Sequence, residues 1–337
     1  MRIGMFCQSA ARRLLIASLL GVVIGILAAA STSPTRAQDS YPSRIVKLVV
    51  PTAPGSTTDT LARIVADQLA QRWGKPTVVE NMPGGAMNIG ASHFARAAPD
   101  GYTLMVAPPS PLAFNHLIYR DIGYEPARFV PITMLAKIPN VLVVRGTLAT
   151  DTLGALIAYG KANPGKLSYA SQGVGSTAHL SGAQLEVLSG LQMVHIPYRG
   201  AQAALTDIVA GHVDMFFDTL ATSVPLYRDG KVRLLAVADL ARAAVVPDVP
   251  TFSEAGLPGF RSVTWFGLVA PPATPAALAE RINHDTVAIL KRPEVDGMLR
   301  KISLEAGALA PDDAARFFAE EAALWAKVIA EAGIQPQ

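Results

Sequence analysis

From Ile45 onward the chain alternates short β-branched apolar runs with longer segments whose apolar positions recur every three or four residues. That alternation is the signature of an α/β fold. Ile45–Val50 reads as a strand. Leu61, Ile64, Val65, Leu69 and Trp73 mark a helix from about Asp59, stopped by Gly74. Strand Thr77–Glu80, a helix over Asn88–Ala97 and strand Tyr102–Ala107 complete a first series. A second begins at Val141–Val144, with a helix over Leu153–Asn163, strand Leu167–Ala170 and a helix over Thr177–Leu188. Strand Met193–Pro197, a helix over Ala201–Ala210 and strands Val213–Phe217 and Val232–Ala238 follow. Val263–Ala270 reads as a strand, and helices near Ala276–Leu290 and Asp312–Ala332 close the chain. Two α/β series with a helical tail predict two lobes facing each other across a cleft.

Three strands run into small-residue loops that open directly into helices. The loops are Pro54-Gly55-Ser56-Thr57-Thr58-Asp59, Pro83-Gly84-Gly85-Ala86-Met87-Asn88 and Ser171-Gln172-Gly173-Val174-Gly175-Ser176-Thr177. A helix start carries free N–H groups and partial positive charge, so each loop is a potential anion seat. Ligands of open α/β sheets bind beyond the carboxyl ends of strands, where these loops lie.

The first residues belong to another function. Arg2, Arg12 and Arg13 precede the apolar run Leu14–Ala30, and Thr35-Arg36-Ala37 offers small residues for cleavage. Residues 1–37 therefore read as a signal peptide, and the adjacent Arg12-Arg13 leaves both the general and the twin-arginine export routes open. This segment holds four of the 29 Lys and Arg and none of the 26 Asp and Glu, leaving 25 basic against 26 acidic residues. Nothing in that balance asks for nucleic acid or an anionic membrane. The single cysteine, Cys7, also lies in this segment, so the remainder has no disulfide, thiolate nucleophile or cysteine ligand.

Motifs for chemistry are sparse. Gly173-Val174-Gly175-Ser176-Thr177-Ala178 has dinucleotide-loop spacing, but the acidic residue needed about twenty positions on is replaced by Val194-His195-Ile196. No G-x-S-x-G or H-E-x-x-H occurs, and no loop carries a P-loop lysine. His212, Asp214 and Asp218 offer metal-ligand residue types, but a strand entered from Gly211 accounts for them without a metal cluster. Asp218 ends its strand at the ligand-facing edge, where a carboxylate can accept from a ligand or orient loop amides.

The chain resembles the Bug receptors, the solute-binding proteins of tripartite tricarboxylate transporters. The likeness runs from Tyr41-Pro42-Ser43 to Trp325-Ala326-Lys327-Val328 and includes Val79-Glu80-Asn81, Asn88-Ile89-Gly90-Ala91, Ala98-Pro99-Asp100-Gly101-Tyr102 and His195-Ile196-Pro197-Tyr198-Arg199-Gly200. It continues through Phe217-Asp218, Asp248-Val249-Pro250-Thr251 and Trp265-Phe266-Gly267-Leu268. The resemblance implies a type II periplasmic binding protein fold, with lobes of 41–140 plus 266–337 and of 141–265 joined by two crossing strands. It implies a carboxylate held by Gly55, Ser56, Thr57, Thr58 and Asp59, by Gly84, Gly85 and Asn88, and by Ser171, Gly173, Gly175, Ser176 and Thr177. Arg199, Gly200, Ala201 and Asp218 are further carry-overs. It also implies a periplasmic monomer without metal or cofactor, a membrane permease as partner, and no catalysis.

Departures from that family are local. Met87 stands where glycine is common, and this bulky residue beside the anion seat points to a ligand with an apolar portion. Two alternatives remain at this point: a hydrolase or lyase using Ser176 or Ser171 with His179 and Asp218, and presentation of the closed receptor to a membrane sensor.

Overall fold

Two mixed sheets share one long strand. The computed structural model describes residues 41–198 and 200–336, so the expected signal peptide and Arg199 lie outside the described residues. Strands β1 (Val46–Val50), β2 (Thr77–Asn81) and β3 (Thr103–Ala107) are parallel, and β3 pairs antiparallel with β9 (Val263–Ala270). Strand β4 (Val130–Arg145) pairs with β9 through residues 130–139 and with β7 (Met215–Thr219) through 140–144. Beyond β7 lie β5 (Leu167–Ser171) and β6 (Met193–Pro197), both parallel to it or to each other, while β8 (Val232–Val237) takes the other side of β4. A short β10 (Glu305–Ala306) pairs with the first half of β4.

Ser56, Thr152 and Ser176 cap three of the helices with their hydroxyls. Helix α1 (Thr57–Trp73) starts at N-cap Ser56 and ends at left-handed Gly74. Helix α2 (Asn88–Ala95) follows β2, and α3 (Asn115–Ile118) follows a π-helical turn after β3. In the second series come α4 (Leu153–Ala162), α5 (Thr177–Ser189), α6 (Ala201–Ala210) and α7 (Leu220–Arg228). The tail forms α8 (Ala276–Leu290), α9 (Pro293–Lys301) and α10 (Pro311–Glu331).

One apolar core lies wholly within residues 141–260 and contains Val143, Leu156, Phe216 and Phe252. Another joins Phe94, Phe114, Ile118 and Trp265 to Phe318 and Trp325. Helix α5 enters both: Ala178 and Leu185 face the first, Leu180 and Ala183 the second. Glu321 fixes α10 to β9 by accepting from Trp265 Nε1 at 2.9 Å, from Trp325 Nε1 at 3.3 Å and from Arg261 at 3.2 Å.

Where β4 passes from one sheet to the other, its polar groups are satisfied by β9 and α5. Asn140 donates from Nδ2 to Ser262 Oγ at 2.8 Å, and its Oδ1 accepts from Thr264 at 3.1 Å. Ser262 Oγ in turn lies 2.6 Å from Ser181 Oγ, and Asn140, Ser181 and Ser262 are all buried. Half-satisfied buried polar groups are costly. Ser262→Ala should therefore lower the unfolding free energy by about 1–3 kcal/mol in urea, with the denaturant slope unchanged. A loss below about 0.5 kcal/mol would show that the cluster is not cooperative in this way.

Candidate functional site

The first loop is held from inside. Ser56 has extended backbone (φ −70°, ψ 162°), and its Oγ accepts from the Asp59 N–H at 3.2 Å. Asp59 then accepts from the Gly55 N–H at 2.8 Å, from Asn81 Nδ2 at 2.9 Å and from Arg63 Nε at 3.1 Å. Burial pushes the Asp59 carboxyl up, but Arg63, the Gly55 N–H and Asn81 outweigh it and hold it below the usual carboxylate range. Asp59 and the Gly55 N–H are thus occupied by the loop itself. The helix begins at Thr57, not near Asp59, so Ser56 is the cap and Thr58 is a buried second-position residue. A helix start leaves the Thr57 and Thr58 N–H groups without intrahelical acceptors.

The second loop carries backbone strain. Gly84 and Gly85 have φ of 122° and 54°, and the left-handed run continues through Ala86 (φ 51°) and Met87 (φ 75°) into Asn88. Side-chain-bearing residues avoid this region because Cβ crowds the following carbonyl. Met87 is half-buried and Asn88 opens α2.

In the third loop the hydroxyls are likewise engaged. Ser176 caps α5, accepting from the His179 N–H at 3.3 Å and donating its proton to the Gly173 carbonyl at 2.7 Å. Ser171 is fully buried, and its Oγ lies 3.1 Å from the Gly173 N–H, 3.0 Å from the Gly173 carbonyl and 2.7 Å from His195 Nε2. One proton arrangement satisfies all three: Ser171 donates to the carbonyl, accepts from the Gly173 N–H and takes the His195 Nε2 proton. His179 Nδ1 accepts from the Gly175 N–H at 3.2 Å. Tyr169, His195 and His179 stack beneath the loop, with ring centroids 4.9 and 4.1 Å apart. Thr177 and Ala178 N–H keep the free positions at the helix start.

Helix α6 opens at Gly200 (φ 125°) and Ala201, and the Tyr198 N–H before it donates to the Ser171 carbonyl at 2.9 Å. The third and fourth loops are therefore one hydrogen-bonded body. Asp218 is buried, and its Oδ2 accepts from Thr222 and Ser223 hydroxyls, both at 2.6 Å. Burial raises its pKa against those bonds. This carboxylate braces the start of α7. The triad considered from the sequence is not assembled: among the described residues neither His179 nor His195 is bonded to a carboxylate.

The loops of the two sheets meet. Tyr119 Oη donates to the Val174 carbonyl at 3.2 Å, tying the segment after β3 to the loop after β5. Gly175 has φ 74°, a conformation that favours glycine, and a Cβ there would press on Ile118 Cδ1 at 3.1 Å.

The histidine stack gives a pH dependence. Burial, then repulsion from His179, pushes His195 down to about 4, and burial also lowers His179. An unfolded histidine takes its proton near 6.5. Between about pH 6.5 and about 4 the unfolded chain binds protons that the folded chain refuses, so stability falls with acidification through that window. Urea melts across it should show that fall, and His195→Gln should flatten it; an unchanged slope in the variant would assign the effect to other groups.

The tripartite tricarboxylate transporter family receptor model matches residues 61–334. The UPF0065 protein of the tcbD-tcbE intergenic region of Pseudomonas sp. strain P51 is 37% identical over 314 residues, 92% of this chain and 93% of that protein. BugT of Bordetella pertussis is 34% identical over 318 residues, covering 94% of this chain and 97% of its own. An R. palustris structure with adipate superposes with a TM-score of 0.78 at 37% identity, covering 88% of this chain and 100% of that one. MatC from Rhodopseudomonas palustris with bound malate gives a TM-score of 0.74 at 33% identity, covering 86% and 100%. The shared strand, the two cores and the capped glycine loops are thus those of a two-lobed periplasmic binding fold, and the chain belongs to the tripartite tricarboxylate transporter family receptors.

Proposed function

We propose that this protein is exported to the periplasm, captures one small carboxylate between two lobes and delivers it to a membrane permease of the tripartite type. The observation that carries this reading is the state of the carboxyl-edge loops. The side chains of Ser56, Asp59, Ser171 and Ser176 are occupied in holding the loops, while the helix-start N–H groups at Thr57, Thr58, Thr177 and Ala178 are left for an anion. Relatives of known structure hold adipate and malate, both dicarboxylates.

The ligand-contacting set centres on Thr57, Thr58, Asn88 and Thr177, with Gly84, Gly85, Gly173, Gly200 and Ala201 shaping the approach. Ser56, Asp59, Ser171, Ser176 and Asp218 support it from behind. The lobes are 41–140 plus 266–337 and 141–265, and β4 and β9 are the strands that flex between them. Each helix start contributes about 0.3–1 kcal/mol to a nearby anion, and each charge-assisted hydrogen bond about 1.5–3. Several together reach the roughly 8 kcal/mol of a micromolar site after binding costs. No metal, cofactor or second copy of the chain enters this scheme. A hydrolytic reading is disfavoured because Ser171 is fully buried and the Ser176 proton is held by Gly173.

Calorimetry of the chain without residues 1–37 against mono-, di- and tricarboxylates, adipate and malate included, tests the reading. One ligand per chain is expected, insensitive to chelator, with about 2.7 kcal/mol of stabilisation at one hundred times Kd and compaction in solution scattering. Half-buried Met87 leads us to expect an acid with an apolar portion to bind more tightly than citrate. Binding of no acid, two ligands per chain, or turnover of the bound acid would each overturn the corresponding clause.

A further inference from the structure

Behind the second loop stand two residues outside the set of ligand contacts. Asn115 is buried at 1% exposure at the start of α3, and its Nδ2 donates to the Ala86 carbonyl at 2.8 Å and to Asn88 Oδ1 at 2.7 Å. Tyr124 Oη donates to the same Asn88 Oδ1 at 2.9 Å, and its ring stacks on Phe129 with centroids 5.6 Å apart. An amide has two donors at nitrogen and two acceptor sites at oxygen. Both acceptor sites of Asn88 are therefore filled from within the protein. Its Nδ2 has no protein acceptor among the described residues, and Asn88 lines an open surface groove with Gly85, Ala86, Ser92 and Tyr119.

We infer that Asn115 and Tyr124 are positioning residues: they clamp the left-handed Gly85–Met87 turn and saturate Asn88 Oδ1, so that Asn88 offers only N–H donors to an oxygen of the ligand. This rests on the carboxylate-receptor reading. The physical logic has two parts. A half-buried Asn88 amide whose oxygen makes both bonds cannot flip outward without losing both, which fixes its polarity. Ala86 and Met87 sit in a conformation that costs side-chain-bearing residues free energy, and it persists only when the surroundings over-determine it. The Asn115 bond to the Ala86 carbonyl is the contact that does so, since it reaches the turn from a buried side chain 29 residues away.

A polarity-fixing clamp and a merely structural asparagine differ in their coupling to Met87. Asn115→Ala should speed amide exchange across residues 85–92 at least about tenfold, the equivalent of one lost hydrogen bond to a buried group. Met87→Gly, which adopts positive φ freely, should recover about half of that loss on a logarithmic scale when combined with Asn115→Ala. Tyr124→Phe removes one donor while leaving the ring stacked, and it should weaken malate or adipate by about threefold or more with the melting temperature little changed. Asn88→Ala reports whether the contact itself exists. Unaltered exchange in Asn115→Ala, no recovery with Met87→Gly, or unchanged affinity in Tyr124→Phe for an acid that Asn88→Ala weakens would each overturn the inference. So would an Asn88→Ala variant that binds as the unaltered protein does. Failure of every acid to bind the unaltered protein would instead overturn the receptor reading, and the exchange measurements would still decide the clamp.

Discussion

The continuity of β4 is the constraint on which the rest of this architecture depends. A single strand from Val130 to Arg145 gives its first half to one sheet and its second half to the other. Each half needs partners on both sides, and each attracts its own set of helices, so two cores form on one ladder. The strand leaves the first sheet at Asn140, whose buried amide is bonded to β9. Because Ser262 also reaches Ser181 in α5, the crossing point is hydrogen-bonded to the helix whose start carries the third loop. On the proposed division into lobes, a closing motion that spares this cluster carries α5 with it as a body.

At the site, division of labour follows from what each group can do. Side-chain hydroxyls and carboxylates near a helix start compete for the same N–H groups that an anion needs. Here Ser56, Asp59, Ser171 and Ser176 take the N–H groups of Asp59, Gly55, Gly173 and His179 and leave the first N–H groups of α1 and α5 alone. The Asp59 carboxylate is paired with Arg63, and Asp218 is enclosed by the Thr222 and Ser223 hydroxyls. On the proposed reading, the ligand then meets backbone donors with little side-chain entropy to lose.

Much of the fold was legible from periodicity. Met193–Pro197, Ala201–Ala210, Val263–Ala270 and Ala276–Leu290 were read with the boundaries observed, because apolar spacing and terminal glycine or proline agreed there. The first half of β4 was not: the second series was placed from Val141, whereas the strand runs from Val130 through Pro131 and Pro139, with register shifts near 131–136. Helix α7, which contains Pro225, was not placed either, and the strand expected from Val213 starts at Met215. Glycine and hydroxyl residues at strand-to-helix junctions mark these loops in the sequence as candidate anion seats. Their internal occupation is not marked there, because the partners of Asp59, Ser171 and Asn88 come from Asn81, His195 and Asn115, more than twenty residues away in each case. Local sequence tells which loops carry donors, and only the tertiary structure tells which of those donors are already used.

Met87 joins these threads. A glycine at its position would adopt φ 75° without strain, whereas methionine holds it at a cost of about 1–2 kcal/mol. A chain under no demand for a side chain there would lose that strain by substitution, so the methionine must return something that glycine cannot. Around it, the turn is held by Asn115 at the Ala86 carbonyl, and the following Asn88 amide is bonded through its oxygen. A flexible, polarizable side chain in that place adds apolar contact without adding charge or a competing hydrogen-bond group. On the proposed receptor reading, that side chain supplies an apolar surface beside the backbone donors, and the Asn115 bond to the Ala86 carbonyl holds the strained turn that carries it.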